Sequence, residues 1–249
     1  MPSFFEELCE IANTDLNNKD KVIEYSIRLE RLVLGQHDHD EDLIILRLKK
    51  EGWLIKLQIL YEVYKTELET VLAHSFLNGD KKFEELMSDR AKILIESEIS
   101  IGRIEADDKM LFIGSGPLPM SAILYNKYAG CQIDCIEKDK NMVDISQKVL
   151  AKLGLAKSVN VYCKNGEKLK ADKYDVIVVA LLAKPKNKIL ESIFTSMEPT
   201  TRVICRTADT TNKILYEETD KKLFDRYGFN KKNVAGTKQT VSSVFYLGD

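Results

Sequence analysis

The sequence has little net charge and few of the residue patterns that build metal or disulfide sites. Its 37 basic and 39 acidic residues give a formal charge of −2 over 249 residues, which does not indicate binding to nucleic acid or to an anionic membrane. The five cysteines form no C-x-x-C pair, which favours reduced core thiols over disulfides. No apolar run reaches the roughly twenty residues that span a bilayer, and no signal-like segment is evident. We therefore expect a cytoplasmic protein that acts on small molecules and not on a membrane.

Histidine is also scarce, and the one cluster that contains it is poorly spaced for a metal ion. The run from His37 to Asp42 combines imidazoles with carboxylates, which are groups that bind transition metals. It lies between two predicted helices, however, where polar residues cap helix ends and solvate a loop. His74 has no partner at a ligand-like spacing, so a catalytic zinc is not expected. We predict no metal site.

Two patterns divide the chain near residue 104. Residues 1–104 have helical periodicity throughout, including a long third helix expected from Asp42 to about Phe76. From residue 105 onward, helices alternate with short β-rich runs, which lie at 110–113, 131–136, 159–163, 174–180, 201–206 and 241–247. This alternation predicts an α/β domain with a mostly parallel sheet over 105–249, preceded by an all-α helical domain over 1–104.

A glycine-rich turn joins the first β-rich run to the next helix and predicts a nucleotide site. Glycines let the backbone approach a ligand closely, and an acid at the end of the second strand can bind a ribose diol. Glu137 is that acid, about twenty residues beyond the glycines, as such sites require. The predicted cofactor contacts in the turn are Gly114, Ser115, Gly116, Pro117 and Leu118.

The residue at the end of this turn restricts the class of ligand that we expect. A dinucleotide site has a third glycine three residues after the second, but here Pro119 stands at that position. A short Gly-x-Gly turn followed by an acidic strand end suits a ligand without phosphates, and we expect S-adenosylmethionine.

Other candidate residues follow the later strands. Asn165 is placed to hydrogen-bond an adenine edge, although Asn-Gly is also a strong turn dipeptide, and both interpretations stay open. Ala180 ends the fourth run and completes the predicted cofactor contacts. Arg206 ends the fifth run, where a guanidinium can hold a substrate carboxylate. Tyr216 follows it and is predicted to contact the same substrate.

Two glutamates in the helical region are candidate catalytic residues. Glu67 shares a helical register with Leu60, Tyr64 and Val71, so a carboxylate is expected in an apolar stripe. Burial would raise its pKa and suit a base that takes a proton from an amine. The alternative is a helix-edge glutamate paired with a lysine. Glu98 is similarly placed, with a buried salt bridge between the two domains as its alternative.

Three segments resemble the nicotianamine synthase family, its archaeal branch most closely. They are Phe-Ile-Gly-Ser-Gly-Pro-Leu-Pro at 112–119, Val-Ala-Leu-Leu-Ala-Lys-Pro-Lys at 179–186, and Arg206-Thr207 followed by Ile214-Leu215-Tyr216. The resemblance covers roughly residues 60–247, and extends to bacterial synthases of staphylopine-type opine metallophores. It implies a Rossmann-like sheet of the class I S-adenosylmethionine-dependent transferases, closed by a helical N-terminal domain.

The resemblance also implies a reaction. Such an enzyme moves the 3-amino-3-carboxypropyl group of S-adenosylmethionine, its co-substrate, to an amine or amino-acid acceptor. It releases methylthioadenosine, needs no metal for catalysis, and builds a metal-chelating product. The segment Glu67-Leu68-Glu69 resembles the family's glutamate-bearing helix, which supports Glu67 as the base.

One departure from the family leaves the acceptor open. Ala91 stands where family members have a tyrosine, seven residues before the glutamate that matches Glu98. Two other functions remain as alternatives: an S-adenosylmethionine-dependent methyltransferase of small molecules, and a catalytically silent module that binds S-adenosylmethionine. Neither the number of transfers nor the oligomeric state follows from the sequence.

Overall fold

Helices are the regular secondary structure that the described residues form before the first strand. The computed structural model describes residues 3–35, 40–237 and 240–247. Within these ranges the N-terminal helices are α1 (Phe4–Ala12), α2 (Lys19–Leu34), α3 (Glu41–Lys50), α4 (Trp53–Asn78), α5 (Phe83–Leu86) and α6 (Asp89–Gly102). The predicted helical region is confirmed.

The expected long third helix is wrong at its start, because two helices occupy that stretch. Gly52 separates α3 from α4 and has a φ of +78°, a left-handed conformation that glycine adopts without the steric penalty of a Cβ. Asp40, and not Asp42, caps α3, since its side chain accepts a hydrogen bond from the amide of Leu43.

A seven-stranded sheet forms the second part of the chain. Its strands are β1 (Lys109–Ile113), β2 (Gln132–Glu137), β3 (Val159–Cys163), β4 (Val176–Val179), β5 (Arg202–Thr207), β6 (Phe229–Thr237) and β7 (Thr240–Leu247). Their order is β3-β2-β1-β4-β5-β7-β6. The strands β1 to β5 pair in parallel, and β7 pairs antiparallel with both β5 and β6. The predicted α/β class with a mostly parallel sheet is confirmed.

Strand β6 was not expected from the sequence. Its residues Phe229–Thr237 include two lysines, two asparagines and a glycine, so they lack the apolar run that marks the other strands. Helices α7 (Met120–Ala129), α8 (Lys140–Lys152), α9 (Lys186–Phe194) and α10 (Lys221–Arg226) complete the α/β arrangement.

Two clusters of buried side chains cross the boundary predicted at residue 104. Ala73 and Phe76 of α4 and Ile95 of α6 belong to the same core as the sheet. Conversely, Leu215 and Tyr216, which follow β5, pack into the core of α1 to α4. The N-terminal helices and the sheet are therefore joined by shared packing as well as by the chain.

No helix in the described ranges is long and apolar enough to cross a membrane.

Candidate functional site

A cavity of about 440 Å³ lies between the carboxyl ends of the parallel strands and one face of α4. This is the edge at which open α/β sheets bind ligands. All the residues predicted to bind cofactor or substrate line this cavity: Gly114, Ser115, Gly116, Pro117, Leu118, Glu137, Asn165, Ala180, Arg206 and Tyr216. The two predicted catalytic glutamates, Glu67 and Glu98, are not among the lining residues.

The glycine-rich turn and the acid at the end of β2 are joined by hydrogen bonds. The amide of Gly116 donates to Oε2 of Glu137 at 3.1 Å. Oε1 of Glu137 accepts from the amides of Lys138 at 2.8 Å and Asp139 at 3.1 Å. These bonds fix the carboxylate beside the turn, where the sequence predicts a ribose contact.

Ser115 adds a buried hydroxyl to the same turn. The residue is 7% exposed, and its Oγ has no hydrogen-bond partner among the residues that the structure describes. A buried polar atom without a partner destabilises the folded protein, so a ligand that bonds this hydroxyl would recover the lost interaction. The turn therefore fits a polar ligand such as S-adenosylmethionine.

Asn165 has a turn role in addition to its place in the cavity wall. It caps a short 3₁₀ helix at Gly166–Lys168, and its Oδ1 accepts from the amide of Glu167 at 2.9 Å. The adenine contact stays a prediction. Ala180 follows β4 directly, and its amide donates to the carbonyl of Ile113 at 3.0 Å.

The expected burial of Glu67 is wrong. Its side chain is 43% exposed and pairs with Lys19, with Nζ 2.9 Å from Oε1. Val71, a member of the expected apolar stripe, is 56% exposed. The physical reason is that α4 carries apolar residues on all its faces. An apolar stripe therefore did not identify its buried face, and the stripe that contains Glu67 does not meet the cavity.

Glu69 occupies the position that was expected for Glu67. It lines the cavity, and a Cβ placed on Gly116 would lie 2.7 Å from its Oε2. The pKa of Glu69 is raised to about 7, chiefly because the carboxyl is buried; the charge of Lys65 lowers it and the charge of Glu137 raises it. A carboxyl with this pKa can accept a proton near neutral pH.

Glu98 forms the buried salt bridge that was its alternative interpretation. Its carboxylate is fully buried and accepts from Nε of Arg206 at 3.0 Å and from Nη2 at 2.8 Å. The hydroxyl of Tyr125 also donates to it. Because Nε and Nη2 both face Glu98, the edge of Arg206 that was expected to hold a substrate carboxylate is used within the protein. The remaining Nη1 donates to Ser121 at 2.9 Å.

Tyr216 links the cavity to the helical core. It is 5% exposed and packs edge-on against Tyr61 of α4, with ring centroids 5.4 Å apart. Burial raises the pKa of its hydroxyl, so it stays protonated at neutral pH. Ala91 lies in the first turn of α6 and does not line the cavity, whereas Leu94, one turn later, does.

The described ranges contain no group of three or more histidine, cysteine, aspartate or glutamate side chains placed to hold a metal ion. Of the cluster considered for that role, His37, Asp38 and His39 lie outside the described residues. Asp40 caps α3, and Glu41 and Asp42 lie in its first turn.

The cavity wall from α4 was not found from the sequence, apart from the segment that contains Glu69. It consists of Glu62, Lys65, Thr66 and Glu69, whose spacing of three and four residues marks one helix face. This spacing can be seen in the sequence and indicates that the four residues share one face of the helix. A polar face that meets a ligand has the same composition as a polar face that meets water, so composition alone did not distinguish them.

Comparison with known proteins identifies one family. The family described as "Nicotianamine synthase protein" matches residues 93–246. L-Histidine 2-aminobutanoyltransferase of Yersinia pestis is 25% identical over 112 residues, which are 45% of this chain and 42% of that protein. The matched stretch thus spans less than half the length of this curated relative.

Solved structures of MtNAS have the same fold. A glutamate-to-glutamine mutant in complex with S-adenosylmethionine gives a TM-score of 0.83 at 23% identity, covering 99% of this chain and 98% of that chain. MtNAS in complex with MTA and tNA gives a TM-score of 0.79 at 23% identity, covering all of both chains. The predicted fold, a class I sheet with an N-terminal helical region, is confirmed.

Proposed function

The chain belongs to the nicotianamine synthase family, and on that premise we propose that it transfers the 3-amino-3-carboxypropyl group of S-adenosylmethionine to an amine acceptor. In this reaction the neutral amine attacks the γ-carbon of that group. The bond between this carbon and the sulfonium breaks, its electrons remain on sulfur, and methylthioadenosine leaves. An acceptor that arrives as an ammonium must lose a proton first, so the site needs a base.

The observation that carries this proposal is the position of Glu69 over the glycine-rich turn. Oε2 of Glu69 lies 2.7 Å from where a Cβ of Gly116 would stand, and its pKa is raised to about 7. A methyltransferase acting on a neutral nucleophile would not require a desolvated carboxylate there. We infer that Glu69, and not Glu67, takes the proton of the acceptor amine.

The other side chains supply binding and orientation. We propose that Glu137 binds the ribose, that Ser115 and the turn amides bind the amino-acid part of the co-substrate, and that Asn165 contacts the adenine. A sulfonium activates every carbon attached to it, so the product depends on which carbon lies in line with the nucleophile. The acceptor is an amine or an amino acid, and a product with several amines and carboxylates would chelate metal ions.

Product analysis tests this function. The protein is incubated with S-adenosylmethionine and a pool of amino acids, and the products are identified by mass spectrometry. We expect methylthioadenosine together with an adduct that carries the aminocarboxypropyl group. Formation of S-adenosylhomocysteine instead would indicate a methyltransferase. Binding of S-adenosylmethionine without any turnover would indicate a silent binding module.

A further inference from the structure

The cavity extends along α4, and each of its two ends is marked by a residue of that helix. At one end the hydroxyl of Thr70 lies 3.7 Å from the sulfur of Met142, on the helix that follows the predicted ribose contact Glu137. At the other end Oε2 of Glu62 lies 2.9 Å from Nζ of Lys184, in the loop after β4. Glu69 directly precedes Thr70 in α4, seven residues after Glu62, and lies over the turn. If the nucleoside lies beside Glu137, the acceptor must lie toward the end marked by Glu62.

Most charged side chains at the acceptor end already have partners within the protein. Glu62 and Lys184 form an ion pair whose side chains are 29% and 19% exposed. Arg206 is paired with the buried Glu98. These charges are therefore balanced before any ligand binds.

Lys65 is different. It lines the cavity from α4 and is partly buried, yet no residue in the described ranges forms an ion pair with it. Its charge reaches the cavity, because it acts on the carboxyl of Glu69 one turn later. A cation in a partly buried cavity is stabilised by an anionic ligand.

The spacing of Lys65 and Glu69 suits one kind of anion. Residues four apart on a helix have Cβ atoms about 5–6 Å apart, so their charged groups can contact neighbouring groups of a single small molecule. Resting on the proposed function, we propose that Lys65 is a specificity-determining residue: it pairs with a carboxylate of the acceptor while the acceptor's amine lies at Glu69.

The test compares acceptors with and without the carboxylate. One pool contains L- and D-histidine and L- and D-alanine, and the matched pool contains histamine and ethylamine. Wild-type protein, Lys65→Met, Lys65→Arg and Lys56→Met are assayed for methylthioadenosine with each pool. Lys56 is the matched control, since it lies on the same helix, is exposed and contacts Trp53 outside the cavity.

We expect wild-type protein to prefer the amino-acid pool. Loss of a charge-assisted pair should lower kcat/KM for amino acids by about 10- to 100-fold in Lys65→Met, mainly through KM, with little change for the decarboxylated amines. Lys65→Arg should keep part of the preference, and Lys56→Met all of it. Calorimetry should show the same affinity for S-adenosylmethionine in every variant.

The other outcomes separate this inference from the proposed function. Equal use of both pools, or an equal loss with both pools in Lys65→Met, overturns the role of Lys65 and leaves the transfer reaction intact. Weaker binding of S-adenosylmethionine by Lys65→Met would assign the lysine to the co-substrate's carboxylate and overturn the inference. Absence of methylthioadenosine with both pools and with the general amino-acid pool of the product analysis overturns the proposed function, and this inference with it.

Discussion

Glu69 is the residue on which the proposed proton transfer depends, and its neighbour two positions earlier provides a matched control. Glu69→Gln keeps the shape of the side chain and removes the base, so transfer should fall by about 10²–10⁴-fold. Glu67→Gln, on the exposed side of α4, should retain wild-type turnover. The measurement is the rate of methylthioadenosine formation. If Glu67→Gln lost activity and Glu69→Gln kept it, the original assignment of the base to Glu67 would be restored.

The raised pKa of Glu69 also predicts how stability depends on pH. A carboxyl whose folded-state pKa lies near 7, above its unfolded value near 4.5, favours the folded state at low pH, where it is protonated. That contribution is lost as the pH rises through about 7. Glu69→Gln cannot ionise, so its melting temperature should exceed that of wild type at pH 8 by more than at pH 5. A difference that is the same at both pH values would mean that Glu69 is not desolvated.

Gly116 is the residue at which the turn and α4 come closest. A Cβ at this position would lie 2.7 Å from Oε2 of Glu69, and the φ of +65° is unfavourable for other residues. Gly116→Ala should therefore weaken binding of S-adenosylmethionine by about tenfold or more. The backbone strain costs about 1–3 kcal/mol, and the added Cβ also displaces the carboxylate of Glu69. Gly154→Ala is the control, because Gly154 has a φ of +73° with no atom within 4 Å of the added Cβ. Equal affinity of the two variants in calorimetry would show that the close approach of Gly116 to Glu69 does not affect ligand binding.

Among the secondary structure elements, α6 and β5 are joined by the buried pair of Glu98 and Arg206. Removing one charge leaves the other buried and uncompensated, so Glu98→Gln should lower the free energy of unfolding by about 3–5 kcal/mol. Glu96→Gln, on the exposed side of the same helix, should change it by less than about 0.5 kcal/mol. Urea denaturation measures both. A small effect of Glu98→Gln would contradict the structural role of this ion pair.

The elements also show what the sequence could and could not predict. Strands β1 to β5 were predictable because each is a short apolar run after a helix, and the turn with Glu137 follows a known spacing. Strand β6 was not, because its polar composition resembles a loop. Glu67 and Glu69 lie two positions apart on a helix with apolar residues all round, so periodicity could not show which of them faces the cavity. The partner of Arg206 depends on packing between α6 and β5, which are about a hundred residues apart in sequence.

At the scale of the whole molecule, the site requires both parts of the chain. The sheet supplies the turn and Glu137, and α4 supplies Glu69. A fragment beginning near Glu105 should form no methylthioadenosine with any acceptor, because it lacks the base and exposes the apolar side chains that α4 and α6 cover. The full chain, assayed in parallel, is the control. A fragment that worked at the full-length rate would show that the helical part is dispensable.

The continuity of helix α4 affects how ligands enter and leave the cavity. Its first half is packed in the helical core and its last turns in the core of the sheet, and Nζ of Lys152 from α8 holds the carbonyls of Phe76 and Leu77, each at 2.9 Å. Many two-domain enzymes open by rotation about a flexible linker, but here a continuous 26-residue helix occupies the place of such a hinge. Wide separation of the two parts would require breaking the helix or withdrawing one end from its core. Exchange of co-substrate and product is therefore expected to depend on local motion of the loops at the cavity mouth, so that residence times are set by those loops.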